Sequence, residues 1–298
     1  MHRAQLFVTC MVDLFRPRVG VGAVRLLERR GVTVEFPERQ TCCGQFAYSA
    51  GHHREAAAMG RGFVRAFETA KATTAADADV GAAAAVPVIA LSGSCAAMVT
   101  HEMPELLERD ALERGWSRTS AERWRRRAEA LAGRVVELSA WLDREQARTA
   151  GAETATPPEA DGGAHPSVAC HTGCHMRRLL GVTEAPLNVL RAAGAAPHEL
   201  PDADQCCGFG GTFALGEPEL SAAMADAKLE ALAALRREGA ACLVSADLGC
   251  LLQLEGRLHR QGDAYPVLHL AELVDLADQG RLTPDGLAGA SRLQQGGA

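Results

Sequence analysis

The sequence predicts an α/β fold of two pseudo-symmetric repeats, each a small, mostly parallel sheet flanked by helices, with cysteines at the C-terminal strand ends. Three observations predict it. Cys10 is followed after 31 residues by Cys42-Cys43-Gly44, and Cys174 after 31 residues by Cys206-Cys207-Gly208. Glu35 and Pro37 stand before the first pair as Glu199 and Pro201 stand before the second. Short β-like runs alternate with amphipathic stretches in both halves, the pattern of βαβ units and parallel sheets.

The elements repeat in order. Leu6 to Thr9 and Ser167 to Ala169 read as strands leading into Cys10 and Cys174. Amphipathic helices follow at Val21 to Arg30 and Pro186 to Ala193, then strands at Val32 to Phe36 and Pro197 to Leu200. Each CCG leads to a helix, His52 to Phe67 or Pro218 to Leu235. The runs from Val86 to Cys95 and from Ala241 to Cys250 each give a strand ending near a cysteine. Val135 to Leu142 and Val267 to Val274 close the halves alike. The halves are therefore placed at 1–143 and 166–280. Between them, 144–165 has the Ala, Thr, Pro and Gly content of a linker, and 281–298 reads as a frayed tail.

At 298 residues the chain is long enough to build its core without disulfides or metal. A net charge of −6 and only two tyrosines and three tryptophans disfavour nucleic-acid binding through phosphate contacts or base stacking. The uncharged stretch from Val80 to Thr100 is long enough for a membrane span. Its Gly81, Pro87, Ser92, Gly93 and Ser94 instead suit a strand, a turn and a helix start. The expected location is the cytoplasm, with no membrane span.

Ten cysteines in such a chain point to metal or redox chemistry rather than disulfides. Eight fall on repeated positions: Cys10, Cys42, Cys43 and Cys95, then Cys174, Cys206, Cys207 and Cys250. Cys170 and Cys242 have no counterpart and read as buried strand residues. Zinc sites usually space their ligands by two or more residues, and vicinal cysteines grip one small tetrahedral ion poorly. A multi-iron cluster accepts them because neighbouring thiolates can bind different irons. A c-type haem needs two residues between its cysteines, and Cys170 to Cys174 has three. Four thiols per half thus predict one iron–sulfur cluster per half, of [4Fe-4S] type. Gly44 and Gly208 would allow close backbone approach to it.

The twice-repeated CX31CCG pattern resembles the cysteine-rich CCG domains of the heterodisulfide reductases and of the iron–sulfur components of glycolate oxidase and anaerobic glycerol-3-phosphate dehydrogenase. Thr41 to Gln45 (TCCGQ), Ser92 to Met98 (SGSCAAM), Cys174 to Arg178 (CHMRR) and Cys206 to Phe213 (CCGFGGTF) resemble more narrowly the lactate-utilisation protein A family. That resemblance spans nearly the whole chain. It implies a cytoplasmic iron–sulfur subunit acting with two partner subunits, one of them ferredoxin-like, in oxidation of L-lactate to pyruvate. The alternative it leaves is a thiol/disulfide redox catalyst of heterodisulfide-reductase type. The five-cysteine CCG domain ends in C-x-x-C, and the first of that pair is here Ser92 in one half and Asp247 in the other. Both are expected to face their clusters.

Other features are weaker. Gly20 to Arg25 lacks the third glycine of a dinucleotide loop. His52 and His53 read as a solvated helix start. His171 and His175 flank Cys174 and suit either a supporting hydrogen bond to a ligand or a structural role. Arg118 to Arg134 reads as a basic, solvated helix face.

Overall fold

The computed structural model describes residues 2–68, 86–150 and 165–295. In the first half, β1 (His2–Phe7) leads into α1 (Cys10–Phe15), α2 (Pro17–Arg29) and β2 (Val32–Glu35). Then come α3 (Gln45–Ser49), α4 (His53–Glu68), β3 (Val88–Ala90) and α5 (Gly93–Ala97). A π-helical turn (Met98–Glu102) links α5 to α6 (Met103–Glu113), followed by α7 (Arg118–Ala132), β4 (Val135–Glu137) and α8 (Leu138–Ala150). The second half runs β5 (Ser167–His171), α9 (Cys174–Arg178), α10 (Ala185–Ala192), β6 (Ala196–Glu199), α11 (Phe213–Gly216) and α12 (Pro218–Arg237). It finishes with β7 (Leu243–Ser245), α13 (Leu248–Arg260), β8 (Val267–His269), α14 (Leu270–Asp278) and α15 (Pro284–Gln295).

The two sheets share one topology. Their orders are β2-β1-β3-β4 and β6-β5-β7-β8, and every pairing is parallel. Phe7 lies beside Ala90 and Ala90 beside Glu137, as His171 lies beside Ser245 and Ser245 beside His269. Leu6 and Phe7, Val88 to Ala90, Val168 to Cys170, and Leu243 and Val244 are all buried on the central strands, as expected for parallel strands covered on both faces. Among the described residues no helix is long and apolar enough to cross a membrane. Val88 to Ala97, inside the uncharged stretch, forms a strand and a helix start, while 80–85 lies outside the described residues.

The halves pack symmetrically. Helix α2 of the first packs on α14 of the second, and α10 of the second packs on α8 of the first. Helix α5 meets α9, as α13 meets α1. Gly20 and Gly22 therefore lie inside a helix, and a Cβ at Gly22 would stand 3.7 Å from the Ala271 carbonyl of α14. They serve helix packing, not a phosphate loop. Buried Arg16 crosses the interface to Glu255 and to the Val267 carbonyl. Arg29 reaches Asp275 and Asp278 the same way.

Two segments are more helical than their composition suggests. Helix α8 continues to Ala150, because 138–150 has no Gly or Pro to stop it; 151–164 lies outside the described residues. The segment after Gly280 forms α15, opened by Pro284 and anchored by fully buried Leu287.

Candidate metal centres

Three chain segments deliver four thiols to one rim of each sheet. Cys10 opens α1 just after β1, and Cys174 opens α9 just after β5. Cys95 lies in α5 beyond β3, and Cys250 in α13 beyond β7. The vicinal pairs sit in the loops after β2 and β6, ended by Gly44 and Gly208 at φ of 90° and 86°. Both glycines also press on a following helix: a Cβ would stand 2.9 Å from the Ala56 carbonyl and 2.4 Å from that of Ser221. Only glycine accepts both demands. Each glycine N–H then donates to a sulfur, Gly44 to Cys42 and Gly208 to Cys206, both at 3.4 Å.

The sulfurs converge. Cys10 and Cys42 Sγ are 3.6 Å apart, and Cys42 contacts Cys43, which contacts Cys95. In the second set Cys174 contacts Cys206, Cys206 contacts Cys207, and Cys207 contacts Cys250. Hydrogen bonds from Cys10 and Cys43 hold the Cys42 thiol down at about 3, and Cys174 and Cys207 hold Cys206 down to about 2. Their neighbours Cys10, Cys43, Cys174 and Cys207 are pushed up by that bonding and by burial. Each set thus favours one thiolate and resists further ionisation unless positive charge enters among the sulfurs. A bound metal would supply that positive charge, because thiol ligands lose their protons when a metal binds. By contrast, Cys170 and Cys242 lie in the apolar core, where burial raises both thiols.

Ser92 and Asp247 sit at the ends of the strands that deliver Cys95 and Cys250, and both are buried. They line the same small cavity as Cys10, Cys42, Cys43 and Cys95. Ser92 Oγ lies 3.1 Å from Ser94 Oγ. Asp247 reaches across the interface: its Oδ2 accepts from Ser94 N at 2.7 Å, and its Oδ1 accepts from Gly249 N at 3.2 Å. A Cβ at Gly173 would stand 3.5 Å from Asp247 Cβ and 3.7 Å from Cys250 Sγ. Asp247 therefore stands between the two thiol sets. The second-half loop also folds over the first site. Phe209 meets Phe46 edge-on at 5.7 Å, and a Cβ at Gly211 would stand 2.6 Å from the Phe46 ring.

The two histidines beside Cys174 differ. His175 Nδ1 is 3.7 Å from Cys174 Sγ in a half-buried position. His171 is buried, within 4.8 Å of both Cys207 and Cys250, and neither ring nitrogen has a hydrogen-bond partner. Burial and the nearby Lys228 charge lower it to about 4. Two orphaned buried nitrogens facing thiols are what an absent thiol-bound group would leave behind, so the donor set fits a cluster. Lys228, 1% exposed, was not singled out from the sequence. Its Nζ donates to the Asp202 carbonyl; burial lowers its pKa, while Asp202 and then Cys207, Cys206 and Cys250 lie close enough to oppose that shift. The available signal was a lone lysine on the core-facing side of an Ala- and Leu-rich helix.

The remaining candidates lie elsewhere. The His53 ring stacks on Tyr48 and meets Arg109, and His52 is exposed. The arginines of α7 are engaged locally, Arg125 with Glu108 and Glu129 and Arg127 with Glu68 and the Trp124 ring.

Twin sheets of one topology, each ending in a convergent thiol set, define a protein of two cysteine-rich domains. The family model described as the CCG cysteine-rich domain matches at residues 4–100 and again at 168–255. Similar proteins include one named lactate utilization protein A from Halalkalibacterium halodurans, 36% identical over 94% of this chain and 99% of its own length. Its namesake from Geobacillus kaustophilus is 39% identical over 92% of this chain and 98% of its own. That from Anoxybacillus flavithermus is 38% identical over 91% and 98%. The chain belongs to the lactate utilization protein A family.

Proposed function

We propose that the chain is the iron–sulfur electron-transfer subunit of a complex that oxidises L-lactate to pyruvate. Cys10, Cys42, Cys43 and Cys95 would hold one cluster, and Cys174, Cys206, Cys207 and Cys250 the other. The observation that carries this reading is the double convergence of four thiols, each set built on a CCG whose glycine combines a positive φ with a carbonyl in the space a Cβ would fill. The relatives' name supplies lactate. When bound, such clusters accept and release single electrons.

The chain's own residues would do the rest. The Gly44 and Gly208 amides donate to sulfur and stabilise its charge. Phe46 and Phe209 cover the first site and limit water. Asp247 ties the two sites together across the interface. A thiol-held cluster carries single electrons and does not itself take hydride from a 2-hydroxy acid, so partner subunits would supply that step. An apolar groove beside Cys10, with Phe15 and Leu215 exposed, offers a face for one of them.

The test is reconstitution. Chain purified without oxygen should contain iron and acid-labile sulfide and oxidise lactate poorly, then gain activity when its two partner subunits are added. Full lactate oxidation by the chain alone with an artificial acceptor would overturn the subunit reading.

A further inference from the structure

The two thiol sites share a backbone but not an electrostatic setting. The residue three before Cys10 is Phe7, and the residue three before Cys174 is His171. Helices α4 and α12 align through the carbonyls that crowd the CCG glycines, Ala56 and Ser221. Seven residues beyond these stand Phe63 and Lys228. In the first half Phe7 and Phe63 pack edge to face, with centroids 4.6 Å apart and Phe67 beside them. In the second half the same two positions hold a buried imidazole and a buried ammonium. His171 lies within 4.8 Å of Cys207 and Cys250, with both nitrogens unpartnered. Lys228, held by the Asp202 carbonyl, lies within electrostatic reach of Cys207, Cys206 and Cys250. The Asp202 carbonyl that holds it comes from a residue at φ 52°, a conformation rare outside glycine.

We infer that His171 and Lys228 make the second-half site the better electron acceptor of the two, so that reducing equivalents settle there first. This rests on the cluster assignment proposed above. Adding an electron adds negative charge, which a buried ammonium and an N–H donor stabilise and an aromatic pair does not. The step transfers one electron, supplied by dithionite in the test, and no bond forms or breaks.

The experiment is a potentiometric titration of the anaerobically purified full chain, followed by EPR and visible absorbance. Two reduction steps are expected. Cys206→Ser should abolish the higher and Cys42→Ser the lower. Lys228→Met should make the higher step at least tenfold harder, which is 59 mV for one electron, and leave the lower within a factor of three. His171→Phe, which copies the first half, should move the same step in the same direction. Lys228→Arg should restore it. Loss of the lower step in Cys206→Ser, or an unmoved higher step in iron-loaded Lys228→Met and His171→Phe, overturns the inference while leaving the cluster reading intact. A wild-type chain without iron and sulfide overturns both.

Discussion

Gly44 and Gly208 show how much one missing side chain decides. Each combines a positive φ with a carbonyl inside the space a Cβ would fill, and the gap is tighter at Gly208. Gly44→Ala should cost about 1–3 kcal/mol, and Gly208→Ala more, read from urea unfolding midpoints. Equal, negligible costs would mean that these loops adjust freely. At this scale the sequence was most legible. Spacing alone marked the eight thiols, because a loop that must repeat a geometry repeats its residues, whereas Ser92 and Asp247 were marked by the resemblance to the five-cysteine CCG domain. It could not separate His171 from His175, since only the end of β5 turns one inward and leaves the other half-buried. Nor could it mark Lys228, whose meaning depends on which face of α12 meets the thiols.

Elements repeat with the same economy, and their caps differ. Glu137 precedes α8, and its Oε2 accepts from the Ser139 and Ala140 amides at 2.9 and 3.2 Å. His269, its counterpart before α14, accepts from Ala271 N through Nδ1 while Glu272 accepts from His269 N. Burial raises Glu137 from 4.5 to about 7 and lowers His269 from 6.5 to about 4. The folded chain keeps a proton on Glu137 that the unfolded chain releases, so this contribution to stability declines as pH rises from 4.5 through 7. His269 acts oppositely, its contribution being present above 6.5 and lost as pH falls toward 4. Each is on the order of 3 kcal/mol. Glu137→Gln should flatten the first slope and His269→Asn the second, in denaturant titrations repeated across pH. Unchanged slopes in both variants would refute the burial argument. Strand and helix order was legible from periodicity. The end of α8 and the whole of α15 were not, since Ala- and Gln-rich composition reads alike in a linker and in a helix.

The whole molecule is held by exchanged contacts: α2 on α14, α10 on α8, and buried charges bridging them. Arg16→Met would leave Glu255 without its buried partner and should cost about 3–5 kcal/mol. Because the halves share this interface, the variant should still unfold in one transition at a lower midpoint. Two separated transitions would show that the halves are independent. Sequence repetition announced two halves but not how they face each other, since that depends on small residues such as Gly22 and Gly93 at helix contacts. A Cβ at Gly93 would stand 2.0 Å from Met176 Cγ.

A cluster on each thiol set is tested most directly by iron and acid-labile sulfide per chain in anaerobically purified protein. The wild type should carry both in equal amounts, and Cys42→Ser and Cys206→Ser should each lose about half. Zinc in place of iron with no sulfide, or an iron content unchanged by either substitution, would contradict it.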